Sequence, residues 1–216
     1  MQVKGLELAM HEPRGKVGVA IGYATNEAGA DHLVGFHDGV FVNPESVSFK
    51  GATKIGITEP ADVFSLGEAK VRNWHTSERW NSAEKTIGFC FFGPAPRSFI
   101  QAEDVVGAVR AATGWDVGVD DLLEWGERSI NLARVFNVRE GFTRADDRLP
   151  ARLHEPLEGG SLTGRSIDRE AFEAAITRLF ELKGWDPATG VPTPDRLREL
   201  GLDWAADLLA GAAPAR

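Results

Sequence analysis

"DVGVDDLLEWGERSINLARVFN", residues 116–137, sets Leu122, Leu123, Gly126, Ile130 and Ala133 at helical spacing behind an aspartate-rich start. Apolar residues three and four apart share one helix face, and acidic residues suit the positive end of the helix dipole. The stretch therefore predicts one long amphipathic helix. Its neighbours read the same way. "SFIQAEDVVGAVRAATG" (98–114) gathers Ala102, Val105, Val106 and Val109 on one face and closes on Gly114, a C-terminal stop. "SIDREAFEAAITRLFELKG" (166–184) turns Phe172, Ala175, Ile176, Leu179 and Phe180 inward, with Asp168 as cap and Gly184 as end. "TPDRLRELGLDWAADLL" (193–209) opens on Thr-Pro and reads as a last short helix or pair.

Upstream the pattern is looser. A helix is expected from Asp62 to about Glu84, with Val71 and Trp74 among its apolar positions. Residues 37–60 carry turn signals and read as a loop or lid. "GKVGVAIGYATNEAG" (15–29) is rich in small residues, which let another backbone or a flat ligand approach closely. "VKGLELAMH" (3–11) partly alternates as a strand does, before an "EPRG" turn. The expected class is all-α, with a short strand-like segment at the N-terminus. Two helical sub-domains are expected, at 1–95 and 96–216.

Composition narrows the function. The chain has 216 residues, 43% apolar and 26% charged, enough for a buried core. Its net charge of −8 argues against a nucleic-acid partner. The arginines at 128, 134, 139, 144, 148 and 152 alternate with acids, which predicts a solvated or salt-bridged face. No apolar run approaches the roughly 18 residues of a membrane span. A single cysteine fits a reducing compartment, and the first residues lack the apolar core of a signal peptide. A soluble cytoplasmic protein is expected.

Chemistry-bearing motifs are few. There is no G-x-S-x-G elbow and no phosphate-binding glycine loop. His32 and His37 stand at H-x4-H spacing without the cysteine half of a zinc site. Cys90 lies in "EKTIGFCFFGPAP" (84–96), between Phe89, Phe91 and Phe92. Locally it reads as a buried core cysteine, since free cysteine is among the most buried residue types. A [4Fe–4S] cluster normally takes four thiolates, and this chain has one.

Read end to end, five blocks resemble the C-terminal portion of the aldehyde ferredoxin oxidoreductase family of tungsten–pterin enzymes. They are "VKGLELAMHEPRG" (3–15), "GVAIGYATNEAGADHL" (18–33), "TIGFCFF" (86–92), "GERSINLARVFNVREGFTRADDRLPARL" (126–153) and "ELKGWDPATGVPTPDRLRELGL" (181–202). The resemblance implies that Cys90 is the fourth ligand of a [4Fe–4S] cluster beside a tungsten, or molybdenum, bis-pterin. It implies that Lys85, Gly88 and Phe89 line a pterin, and that His32 lies near the metal as a proton donor or substrate contact. It also implies partners: a chain or subunit carrying the pterin-base domain and a C-x2-C-x3-C run, and ferredoxin as electron acceptor. The cofactors are expected only if that portion is supplied by another chain. The implied reaction takes a small aldehyde and water to a carboxylate. A tungsten-dependent aryl-CoA reductase acting on an acyl thioester shares the framework, and a non-catalytic helical remnant or partner-binding module is the alternative. Two positions depart from the family pattern: Lys85 stands where the family carries an aspartate, and Glu12 replaces the aspartate of "DPRG".

Overall fold

The periodic stretches become eight α-helices in the computed structural model, which describes residues 1–94 and 99–211. They are α1 (Val17–Thr25), α2 (Val47–Thr53), α3 (Glu68–Ile87), α4 (Ala102–Thr113), α5 (Val119–Arg139), α6 (Arg169–Lys183), α7 (Pro194–Glu199) and α8 (Asp203–Gly211). The only sheet among the described residues is an N-terminal antiparallel hairpin of β1 (Gln2–Val3) and β2 (Leu6–Glu7), with Val3 opposite Leu6. Its two turn residues, Lys4 and Gly5, both take positive φ, as a tight hairpin of this twist requires. The mainly helical expectation holds.

Local chemistry sets the helix ends. The Asp168 carboxylate accepts from the Ala171 amide at 2.7 Å and starts α6. Thr193 caps α7 by accepting from Arg196, with Pro194 at its first position. The helix expected from Asp62 begins instead at Glu68. Asp62 is spent on a turn, its side chain accepting from the Phe64 amide and its carbonyl from Ser65. Residues 37–60 are more ordered than a loop, holding a 3-10 turn at Asp38–Val40 and α2, which Ser46 caps.

Packing explains the small residues. Every residue of α1 is buried, and the Trp74 indole lies so close that a Cβ on Gly22 would sit 2.4 Å from it. The small-residue stretch thus receives a side chain of this chain rather than an external ligand. At Gly126 an added Cβ would lie 1.8 Å from the Arg79 carbonyl, so α3 and α5 cross there backbone to backbone. One core joins α1, Trp74, Leu153 and Phe172, Ile176 and Phe180 of α6. A second joins Phe36, Phe41, Trp80 and Ala83 with Val105 of α4 and Leu122 of α5. A third packs α7 and α8 against Val135. Each large side chain buried in them contributes about 1.5–3 kcal/mol. The boundary expected at 95/96 lies outside the described residues, and the second core draws side chains from both sides of it.

The charges of 127–152 divide: Arg139, Glu140, Arg148 and Arg152 are exposed, while Glu127, Arg134 and Asp147 are salt-bridged inside. Asp147 is fully buried, bound by Arg134 at 2.8 Å and by Lys4 of the hairpin at 2.7 Å. Arg134 also donates to the Gly190 carbonyl and lies over the Trp185 ring. Buried Glu127 accepts from Arg79 of α3 and Arg196 of α7. Glu78 of α3 pairs with Lys183 of α6, both inside. Asp38 and Lys70 form a fully buried pair, and Asp38 also accepts from the Gly18 and Val19 amides, capping α1 from a distance. Buried charges are tolerated only when paired and hydrogen-bonded in this way. No helix among the described residues is long and apolar enough to cross a membrane.

Candidate functional site

Two pieces of chain carry the residues of interest: the C-terminal end of α3, and the segment after α1. Gly88 ends α3 with φ +81, its amide donating to the Glu84 and Lys85 carbonyls. An L side chain is strained in that left-handed conformation, so the cap itself calls for glycine. A Cβ there would meet nothing within 4 Å. The chain then leaves the helix. The Phe89 amide donates to the Glu84 carbonyl at 2.9 Å, and its ring is half-buried against the second core. Cys90 follows, a free thiol that is exposed. The buried-cysteine reading therefore fails: the helix cap turns residue 90 outward even though its neighbours are aromatic. Phe92 is 63% exposed and Phe99, after the turn, 89%.

Lys85, on the last turn of α3, reaches across to Asp31, the residue before His32, at 3.9 Å. It also borders a cavity of about 30 Å³ shared with Asn81, Glu78 and Lys183. This ion pair is half-exposed and so weak, but it ties the two pieces of the site together.

His32 does not stand alone. Its ring centroid lies 4.7 Å from that of His11 and 6.1 Å from that of His37, and His11 and His37 are 4.6 Å apart. Lys16 joins the other two, with Nζ 3.1 Å from His11 Nδ1 and 3.0 Å from His37 Nδ1. His37 Nε2 lies 3.1 Å from the His32 carbonyl. Burial, then the Lys16 charge and His32, hold the His11 imidazole below its ordinary value. Burial lowers Lys16 as well, with Asp38 opposing. Tyr23 donates to the His11 carbonyl, and burial, reinforced by Asp31 and Glu12, pushes its phenol up to about 12. Below that pH the hydroxyl keeps its proton and remains a donor.

The turn before α1 supports this cluster. Glu12 accepts from the Arg14 amide at 3.0 Å and holds the Arg14 guanidinium through both oxygens at 2.9 Å. Those bonds to Arg14 keep the Glu12 carboxyl below the usual range. Arg14, itself buried, donates to the carbonyls of Arg152 and Glu155. Glutamate at position 12 thus builds its turn from its own two oxygens. Sequence reading singled out His32, Lys85, Gly88, Phe89 and Cys90. It missed His11, His37 as a neighbour of His11, and Lys16. Only the H-x4-H spacing hinted at them, because His11 arrives from the other side of α1.

Among the described residues no group of three or more His, Cys, Asp or Glu side chains is arranged to hold a metal ion. Cys90, exposed at the rim, presents a single thiol. That donor set fits one ligand position of a larger centre and no more.

The described residues thus show a mainly helical chain with an exposed thiol past the end of α3 and a histidine cluster near α1. The chain belongs to the aldehyde ferredoxin oxidoreductase family: residues 1–202 match the family model for domains 2 and 3. It is 30% identical over 204 residues to the tungsten-containing aldehyde ferredoxin oxidoreductase of Pyrococcus furiosus, covering 94% of this chain and 31% of that protein. The Thermococcus kodakarensis enzyme of the same description gives the same identity and coverage. A shorter match, 31% identical over 106 residues, is to the WOR-like subunit of an aliphatic sulfonate oxidoreductase of Pyrococcus furiosus. The chain spans about a third of the length of its aldehyde ferredoxin oxidoreductase relatives. Its fold is also that of the active site complex BamBC of benzoyl coenzyme A reductase, with TM-score 0.62 and 19% identity over 98% of this chain and 33% of that one.

Proposed function

We propose that this chain is the C-terminal helical part, or a split subunit, of a tungsten-containing aldehyde:ferredoxin-type oxidoreductase. The observation that supports the reading best is Cys90: a free, exposed thiol just past the α3 cap, in a chain whose residues 1–202 match a redox family. In this reading Cys90 supplies one thiolate to a [4Fe–4S] cluster, and a second chain carrying the pterin-base domain and C-x2-C-x3-C supplies the other three. Lys85, Gly88 and Phe89 line the pterin, and Phe89, Phe91 and Phe92 keep water from the cluster, a lever on its potential. His32 sits beside the substrate oxygen and gives or takes a proton there. When bound, tungsten–pterin and cluster supply the redox chemistry by which an aldehyde and water become a carboxylate, two electrons passing singly to ferredoxin. The aldehyde reading is preferred to acyl-thioester reduction because the relatives at 30% identity are aldehyde enzymes, whereas the BamBC likeness is one of fold.

The test is iron and tungsten content, with EPR of the dithionite-reduced sample. It is run on the chain alone and on the chain co-expressed with a polypeptide supplying the remaining two thirds of the family's length. Metal and a cluster signal in the assembled sample, lost or altered by Cys90→Ala, support the reading. An assembled sample whose cluster signal is untouched by Cys90→Ala refutes the role of Cys90. No metal in either sample favours the helical module without a redox centre.

A further inference from the structure

The imidazoles around His32 have their protons assigned by their partners. The His32 carbonyl can only accept, so the His37 Nε2 that faces it at 3.1 Å carries a hydrogen. His37 Nδ1, 3.0 Å from Lys16, is then the acceptor of a neutral ring. Lys16 spends a second N–H on His11 Nδ1 at 3.1 Å, which places the hydrogen of neutral His11 on Nε2 as well. The Lys16 ammonium has three N–H donors and no acceptor, so both Nδ1 atoms that face it must accept. The His32 ring rests on the His11 ring at 4.7 Å, tilted by 46°.

We propose that Lys16 is a positioning residue for His32: by donating to both Nδ1 atoms it fixes His11 and His37 as Nε2–H imidazoles and so sets the surface against which the His32 ring lies. This deepens the proposed function and rests on its reading of His32. The device leaves a proton exchange at His32 uncontested, because its two neighbours have each committed Nδ1 to the same amine. The charged and titratable groups facing the cluster come from every element around it. Asp38 faces Lys16; Glu12 and Asp31 act on Tyr23, whose hydroxyl holds the His11 backbone.

The experiment is long-range proton–nitrogen NMR of the full chain with labelled histidine, followed through a pH titration. The wild type should show Nε2–H patterns for His11 and His37, with His11 titrating below the ordinary imidazole value of about 6.5. Lys16→Met should give His11 a mixture of tautomers, raise its titration midpoint and shift the His32 ring signals. An Nδ1–H pattern for wild-type His11, or tautomers unchanged in Lys16→Met, overturns the proposal. If Lys16→Met does not fold, the wild-type titration decides: a His11 midpoint at or above the ordinary value overturns it. None of these readouts needs metal, so they stand apart from the redox reading. In the assembled enzyme, Lys16→Met should lower kcat by roughly tenfold to a hundredfold with less effect on KM, as misplacement of a reacting group does. Full activity in His32→Ala would remove the reading of His32 while leaving the tautomers as assigned.

Discussion

The middle of α3 and its C-terminal end follow opposite rules. Along the middle, Lys70 and Glu78 go inside and meet counter-charges from distant segments, Asp38 and Lys183 of α6. Past Gly88 the chain turns outward and shows a thiol and aromatic rings to the exterior. The first region concerns only this chain. The second has the composition of surfaces that bind something, since exposed aromatic patches mark interaction sites. Stability and the proposed function therefore fall on different residues, those inside α3 and those just past its end, and mutations should separate them.

The largest effect belongs to the buried ionic hubs. Asp147→Ala leaves Lys4 and Arg134, whose side chains are 1% and 3% exposed, without their carboxylate. Removing one partner of a buried pair costs about 3–5 kcal/mol, a large share of the stability of an ordinary domain. Chemical denaturation should show a shift of that size with an unchanged slope. A loss under about 1 kcal/mol would mean that water reaches the hub, and the contrast with the rim would fall.

A smaller effect follows acid. Burial would raise the Glu78 carboxyl, but Lys183 and His75 outweigh it and hold it below 4.5. A carboxyl lowered in the folded state adds stability above its unfolded value, and that stability is lost as pH falls through the folded one. Melting temperature should accordingly drop below about pH 4.5, with a shallower acid limb in Glu78→Gln. The loss is smaller than for Asp147→Ala because a protonated carboxyl still accepts from Lys183. An acid limb identical in the variant would assign the transition to other carboxylates, such as Glu12.

How much of this could be read in advance follows from the range of each signal. The helices at 102–113, 119–139 and 169–183 were legible because caps and apolar spacing are local. The start of α3 was not, since Asp62 closes a turn whose carbonyl then accepts from Lys70. The hubs were invisible for a related reason. Asp147 and Glu127 lie among other charges and look solvated, and their partners Lys4 and Arg196 are far away in sequence. The family blocks singled out His32 and Cys90, but not the company His32 keeps. His11 and Lys16 join it only through the path of α1.

The smallest stability effect should come from the residue on which the proposed function rests most. Cys90 is exposed and its side chain fills no core, so Cys90→Ser should change stability by less than about 0.5 kcal/mol. The same exposure predicts that a thiol reagent labels Cys90 in the native chain nearly as fast as in denaturant, because no unfolding is needed to reach the sulfur. In the assembled protein the labelling should stop if a second chain covers the rim or a cluster takes the thiolate. The two causes differ in what Cys90→Ser does to assembly. A covering partner still binds the variant, whereas a centre that needs this sulfur loses iron. Slow labelling of the isolated native chain would place the thiol inside and return Cys90 to the company of Trp80 and Ala83, erasing the difference between the two ends of α3.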